Sequence, residues 1–522
     1  MKTTVLNIAK LLTFQKGGIN PPEKMRLTKN LPIEVMPTPP EVAIFLKQHV
    51  GTACLEHCIR ADMCLHFVRQ PTDNACKIVF KGLQNTLYSE DYFLNDNICF
   101  NSSEVHVQQE EKVSEGDLIG KGSKLGSNLH ASISGLVKTI SDTPHPFGKE
   151  PAIVLSIDPD AKPKSYPIVN ENWMSLSRED LFAKIKEAGI VGLGGAGIPI
   201  DSKLSVKRDS KLDTLILNSE SEPYLTSNYR IMLEHAFEII EGAKILLTIL
   251  DIKECIIGVE NNKPDAIIAL NQAIENDTQK NGSKNQFKIV VQPLQTKYPQ
   301  DATDQITFTL TGRIKPTGKR ISASGVNIQN VYTAKVIYDA VVCHKPFYEK
   351  VITVSGRGIA RPANLLVKIG TRLRDIVDYL GGMTQDVAKI VIGGPMLGFA
   401  VSSLEIPITK TTPGVLFLTQ DEIDIQPSYD PCIRCGFCLQ ACPMGLEPNN
   451  VSIYVEAGKS ADTEQFGIME DCFECGCCAY VCPSKRPLVQ FIKLAKLKIL
   501  EAQQKKKQRE SKPKESKQRE ST

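Results

Sequence analysis

Two cysteine runs constrain this chain more than any other feature. The first is Cys432-Ile-Arg-Cys435-Gly-Phe-Cys438-Leu-Gln-Ala-Cys442-Pro443. The second is Cys472-Phe-Glu-Cys475-Gly-Cys-Cys478-Ala-Tyr-Val-Cys482-Pro483. Both follow C-x2-C-x2-C-x3-C-P, and they begin 40 residues apart. Three thiolates at that spacing wrap a loop around three corners of a [4Fe–4S] cube, and the fourth, before a proline, points to a second cube. The pattern predicts one cluster on Cys432, Cys435, Cys438 and Cys482, and another on Cys472, Cys475, Cys478 and Cys442. Structural zinc favours two separated pairs of ligands, a poorer match to two complete runs. Cys477 is expected to be a spectator, since its neighbour Cys478 keeps the register. Gly436 and Gly476 let backbone N–H groups approach the sulfurs, one lever on potential. Neither cube offers an open iron to a substrate, so the segment reads as an electron relay.

The rest of the composition narrows the setting. Sixteen cysteines in 522 residues, with no signal peptide visible, favour metal or redox chemistry over a disulfide scaffold. The length suggests roughly three or four domains. Hydrophobic residues at 42% and charged residues at 23% exclude a disordered or collagen-like chain. No apolar stretch approaches the roughly 20 residues that span a bilayer; Ala243 to Leu250 is far too short. The expectation is a chain that stays in the cytoplasm unless a partner holds it on a membrane. The net charge is +3, and residues 501–522 alone carry eight Lys/Arg against four Asp/Glu. The body is therefore nearly neutral, and no nucleic-acid partner is expected.

Upstream, a helical stretch from Arg178 to Ala188 runs into Gly189-Ile-Val-Gly192-Leu-Gly194-Gly195-Ala196-Gly197-Ile198-Pro199. Five glycines among nine residues demand a sharp turn or a close approach to a ligand. Such loops often offer N–H groups to phosphate, although this is not the G-x-G-x-x-G fingerprint, and a purely structural turn is equally compatible. Leu212 to Leu217 reads as a strand, Met232 to Leu250 as helix, Glu254 to Val259 as strand, Ala266 to Ile274 as helix and Phe287 to Val291 as strand. That alternation predicts a parallel α/β domain whose ligands sit beyond its strand ends. Glu220 and Glu222 follow the first strand, where they could hold a ribose or an amide, or merely form a solvated turn.

Together with Lys297-Tyr-Pro-Gln300, Gln329-Asn-Val331 and an N-terminal Phe14-x-x-Gly17-Gly18-Ile-x-Pro21-Pro22-Glu23, these motifs resemble the flavin- and NADH-binding subunit family of respiratory complex I. The chain is more similar still to the RnfC (RsxC) family, the C subunits of the Rnf (Rsx) electron-transport complex, over most of residues 10–495. The resemblance implies hydride exchange with NADH through FMN, then single-electron transfer through two [4Fe–4S] clusters. Gly192, Gly194, Gly195 and Gly197 would lie against flavin phosphate and nucleotide. Asn218, Glu220 and Glu222 would face FMN and NADH, and Asn330 would help hold the flavin. A flavin must stand between hydride and cluster, because one moves two electrons and the other accepts one. The implied partners are integral-membrane and peripheral subunits of that complex, with ferredoxin or another redox protein. The implied place is the cytoplasmic face of the bacterial inner membrane. The chain departs from the family at Asp301-Ala302-Thr303, where Gly-Gly-Glu is expected, at Tyr332, where Gly is expected, and at Ile198, where Phe is usual.

The implied architecture is multidomain, α/β and α+β. Residues 1–165 would form a barrel-sandwich hybrid with an insert at about 52–106, and glycine-punctuated short strands between Val113 and Ile140 suit it. That insert holds Cys54, Cys58, Cys64, Cys76 and Cys99, with His57 and His66 nearby, a possible metal site or buried small hydrophobes. Residues 170–345 would be the Rossmann-like flavin/NADH domain and 346–420 a β-grasp (SLBB) module, with strand, helix and strand at Val351–Val354, Leu373–Leu380 and Lys389–Ile392. Residues 425–495 would be the two-cluster ferredoxin domain. An amphipathic helix from Lys493 is expected to give way to a disordered basic tail over 496–522. The leading expectation is an electron-transport subunit of an ion-translocating complex. The alternative is a non-catalytic relay scaffold whose nucleotide site has decayed.

Overall fold

The computed structural model describes residues 12–14, 16–45, 103–122, 126–145, 148–169, 172–194, 197–205, 211–219, 222–281, 286–316, 319–423 and 429–511. Gly195, Glu220 and the five insert cysteines lie outside the described residues.

Four strands, Thr214–Asn218, Glu254–Glu260, Lys288–Leu294 and Val326–Asn330, form a wholly parallel sheet. Numbered in chain order, they lie 3-2-1-4 across the sheet. Thr214–Asn218 is buried over its first four residues and Glu254–Glu260 over most of its length, because helices cover both faces, as parallel sheets require. Arg178–Glu187 illustrates how the local sequence sets a helix. Ser177 Oγ accepts from Asp180 N at its start, Glu179 and Asp180 meet the positive end of the dipole, and Lys184 and Lys186 meet the negative end. Leu181 and Ile185, four apart, are fully buried. The helix expected over Met232 to Leu250 is instead two, Ser227–Glu234 and Ala236–Leu250, broken at His235.

The barrel domain comprises two small sheets: Glu41–Phe45, Gly148–Ile157, Gly135–His145 and Lys112–Val113 in one, and Glu104–Val105, Leu118–Lys121 and Leu129–His130 in the other. The next sheet, around Glu349–Ser355, has six strands, and the segment Ile33–Val35 joins its edge parallel to Ala363–Lys368. The N-terminal chain thus laces domains far apart in sequence. Two buried side chains reinforce that. Asn364 donates to Thr28 O and Leu31 O and accepts from Thr226 Oγ1. Lys410 Nζ donates to Asn128 O at 2.6 Å and Gly189 O at 2.7 Å, joining the barrel to the α/β domain. Burial holds that ammonium down at about 7.

The cysteine-run domain is an internal repeat. Phe437–Ala441 and Pro448–Glu456 in the first half correspond to Cys477–Tyr480 and Leu488–Ser511 in the second. The last helix, Leu488–Ser511, continues past residue 496, from which the sequence leads to an expectation of a disordered tail. Its Glu, Lys and Gln residues are good helix formers, and Gln503 Nε2 donates to Glu464 Oε1 at 2.6 Å.

Candidate redox site

In a 3-2-1-4 parallel sheet, the crevice lies between strands 1 and 4, where the connections leave in opposite directions. Here that position is marked by Asn218 and Asn330, paired residues at the ends of neighbouring strands. Asn330 Oδ1 accepts from Tyr332 N at 2.8 Å and caps the helix Val331–Val342. The glycine-rich loop arrives at the same crevice, since Leu193 N donates to Thr333 Oγ1 at 3.2 Å. A methyl group added at Gly194 would meet only Asn330 Cβ, 3.8 Å away. The loop therefore leaves open space above the strand ends, which fits a planar cofactor approaching the backbone.

Lys203 was missed by sequence reasoning. Its Nζ donates to Ile328 O at 3.1 Å, and its side chain lies beside Gly192. Burial lowers it to about 8. A half-buried cation next to a glycine-rich turn is the charge a phosphate group would neutralise. Its signal was available: a lysine in the short helix Ile200–Leu204 that directly follows the loop.

Glu222 and Asp301 form the acidic side of the crevice. Glu222 Oε2 accepts from Met396 N at 2.6 Å and Leu397 N at 3.0 Å, so it ties the α/β domain to the β-grasp module. Asn218 Nδ2 donates to the backbone oxygen of Asp301 at 3.0 Å. Burial pushes Glu222 up to about 7 and Asp301 to about 6, with Glu260 adding to the latter. Between their ordinary values of 4.5 and 3.8 and these raised ones, the folded chain holds protons that the unfolded chain has released. Their contribution to stability is therefore lost as pH rises toward about 7. Glu222→Gln should raise the urea midpoint relative to the parent more at about pH 8 than at about pH 5. An equal difference at both pH values would show that the carboxyl is not held protonated.

Two residues that depart from the expected motifs now have a place. Tyr332 is buried in the hydrophobic core, and its hydroxyl accepts from Val351 N at 2.7 Å. Its side chain serves the join to strand Glu349–Ser355 and leaves the space over Gly194 clear. Asp301 puts a carboxyl where the motif leads to an expectation of glycine, and this carboxyl lies near Cys475 as well as Glu260.

In the cysteine domain, Cys442, Cys472, Cys475 and Cys478 line one cavity whose other walls include Pro443, Ile468, Val489 and Ile492. Cys432, Cys435 and Cys482 are close enough to Cys438 for their charges to act on it. The structure thus brings the fourth cysteine of each run to the loop of the other. Leu446 N donates to Cys442 Sγ at 3.3 Å, an N–H···S contact of the kind that stabilises a cluster thiolate. The four expected ligands share this cavity with Cys477 and Glu474 among apolar walls, a sulfur-rich lining that suits a cubic cluster.

The second run also meets the α/β domain and the β-grasp module. Tyr298 Oη donates to Cys475 O at 2.7 Å, and Met396 lies against Gly476. Residues 16–19 are threaded between the two: Gly18 N donates to Ala441 O, and Ile19 exchanges backbone hydrogen bonds with Tyr298. Cys477, expected to be a spectator, is fully buried in this seam with Ile19, Tyr298 and Ala441. The crevice and one cysteine cavity are therefore neighbours across a packed interface.

Comparison with known proteins agrees with this order of domains. The sequence model for the RnfC barrel sandwich hybrid domain matches residues 12–63 and 92–162, and that for the Nuo51 FMN-binding domain matches 185–339. An SLBB domain matches 351–400, and a 4Fe-4S dicluster domain matches 428–486. The chain is 37% identical over 490 residues to the C subunit of the proton-translocating ferredoxin:NAD(+) oxidoreductase complex of Clostridium ljungdahlii, covering 93% of this chain and 94% of that one. It is 34% identical to the C subunit of the ion-translocating oxidoreductase complex of Rhodobacter capsulatus, covering 94% and 84%. With the Na(+)-translocating counterpart from Acetobacterium woodii it shares 32% identity, covering 94% and 98%.

Proposed function

Since the chain belongs to the RnfC family, the C subunits of ion-translocating oxidoreductase complexes, we propose that it passes electrons between NADH and the other subunits of such a complex. FMN and two [4Fe–4S] clusters would be its cofactors. The carrying observation is that the strand-end crevice and the Cys442/Cys472/Cys475/Cys478 cavity abut within one chain, joined by Tyr298. FMN, when bound, supplies the conversion of a hydride into two single electrons. Gly194 gives it backbone clearance, Lys203 neutralises phosphate, and Asn218 and Asn330 fix its edge at the strand ends. Glu222, raised to about 7, holds a proton up to neutral pH, and Asp301, raised to about 6, up to slightly acid pH, beside the place where hydride chemistry releases or takes protons up. Tyr298, Ile19 and Cys477 exclude water from the seam that electrons must cross.

In this reading Cys442, Cys472, Cys475 and Cys478 hold the cluster nearer the flavin, and Cys432, Cys435, Cys438 and Cys482 the farther one. No helix among the described residues is long and apolar enough to cross a membrane. We place the chain as a peripheral subunit on the cytoplasmic face of the bacterial inner membrane, held there by its partners, with ferredoxin or another redox protein at the far end of the path.

The test is made on anaerobically purified protein: iron, acid-labile sulfide and flavin per chain, and the visible spectrum on adding NADH. About eight irons, bound FMN and bleaching by NADH are expected. About eight irons without flavin retention or any response to NADH would leave only a relay scaffold.

A further inference from the structure

The two halves of the cysteine domain share a backbone but not an environment. Arg434 and Glu474, 40 residues apart, both adopt the left-handed region, with φ of 57° and 62°. Gly436 and Gly476 follow at 78° and 82°. Around the second loop the chain supplies its own cover, with Tyr298 on Cys475 O and Met396 against Gly476. Around the first loop nothing described does so. A methyl group added at Gly436 would meet no atom within 4 Å. Cys435 is exposed, whereas its counterpart Cys475 is partly covered. Phe437 is 50% exposed where Cys477 is fully buried. Ile433 is 66% exposed and Leu439 37%, where Phe473 and Ala479 are both partly buried.

A sequence that keeps three large apolar side chains in water beside an exposed cluster thiol presents a contact surface, because such clustered exposure is disfavoured without a partner. The internal repeat indicates what kind of partner. On the second half, the equivalent face is packed against the domain with which that cluster would exchange electrons. We propose that the face of Ile433, Cys435, Phe437 and Leu439 docks a second redox protein, a one-electron carrier with an apolar contact face and a carboxylate rim. The rim charge follows from Arg434 and Lys485, both exposed in the loops carrying Cys435 and Cys482, which outweigh Asp430. At the place of Arg434 the second half has Glu474, which is buried against Lys496, and the place of Lys485 is Gly445, covered by Lys16 of the N-terminal strap. The chain then has two redox faces, with the internal one docked to its own flavin domain and the open one handing electrons on. This inference rests on the cluster and flavin-domain readings above, and its test bypasses NADH and FMN.

The test uses the assembled complex carrying Phe437→Glu or Ile433→Glu, substitutions that leave every cysteine in place. The clusters are reduced photochemically, so the result does not depend on NADH or FMN. Iron content and the cluster spectra should match the parent, while electron delivery to the next centre of the complex should fall by roughly tenfold or more, as for a buried contact anchor. Hydrogen exchange over residues 431–440 should slow on assembly relative to the isolated chain. Delivery at the parent rate, or exchange that assembly leaves unchanged, would overturn the proposal. So would protection already present in the isolated chain and lost on deleting residues 46–102, because the chain would then cover its own face. A parent chain without clusters would instead remove the reading on which the face depends.

Discussion

Replacing Cys475 by serine, or by alanine as the stricter variant, is expected to remove about four of some eight irons and to reduce NADH-driven bleaching of the remaining cluster to background. Cys435→Ser should remove as much iron, yet leave the remaining cluster reducible by NADH at the parent rate. The two losses are chemically identical, so the difference comes from position. Cys475 lies in the seam with Tyr298, at the entry of the relay, and Cys435 lies on the open face. Photochemical reduction should reach the surviving cluster in both variants. That separates a broken path from a cluster that cannot be reduced. Iron content is measured together with electron paramagnetic resonance under each reductant. Unchanged iron would refute the ligand sets, and a reversed asymmetry would place the first-run cluster next to the flavin.

The parts of this chain that were legible in the sequence are those set by local chemistry. Three of the four ligands expected for each cluster lie within a few residues of one another, so the two runs expose their purpose at sight. Strand and helix alternation likewise pointed to the parallel sheet, and with it to a site beyond the strand ends, where Asn218 and Asn330 meet. What stayed hidden depends on contacts between segments remote in sequence. Tyr298 and Cys475 are 177 residues apart, and nothing near either announces the other. Glu222 was legible as a carboxylate after a strand, but its hydrogen bonds to Met396 and Leu397 belong to the packing of another domain. Cys477 looked idle because ligand spacing skips it, whereas its burial arises from the seam. The Phe14-to-Glu23 motif was visible as a pattern without a stated task, and the structure supplies one.

That task leads to the second large effect, at Gly17. Its φ is +66°, and a Cβ there would land on the backbone of Cys442 and Pro443. The neighbouring Gly18 N donates to Ala441 O at 2.8 Å, so residues 17 and 18 are seated directly on the turn that carries Cys442. On the other side, Ile19 is paired with Tyr298, the residue that reaches Cys475. Gly17→Ala must therefore shift either the strap or the cysteine turn, and both border the cluster nearer the flavin. Two penalties are combined in this substitution. The left-handed backbone alone costs about 1–2 kcal/mol for a residue with a side chain. The clash with Cys442 adds a displacement at a place where a shift on the order of 1 Å can slow a reaction about a hundredfold. Gly458→Ala separates them, because Gly458 also has positive φ, +72°, in the same domain but with nothing within 4 Å of an added Cβ. Both variants should lose stability to heat, while Gly17→Ala alone should shift the resonance signature of the Cys442 cluster and slow its reduction by NADH by roughly tenfold or more. The signature of the Cys435 cluster should stay put, since its ligand turn lies away from the strap. If Gly17→Ala behaved like Gly458→Ala in both respects, the strap would merely join domains and would have no part in holding the cluster to the flavin.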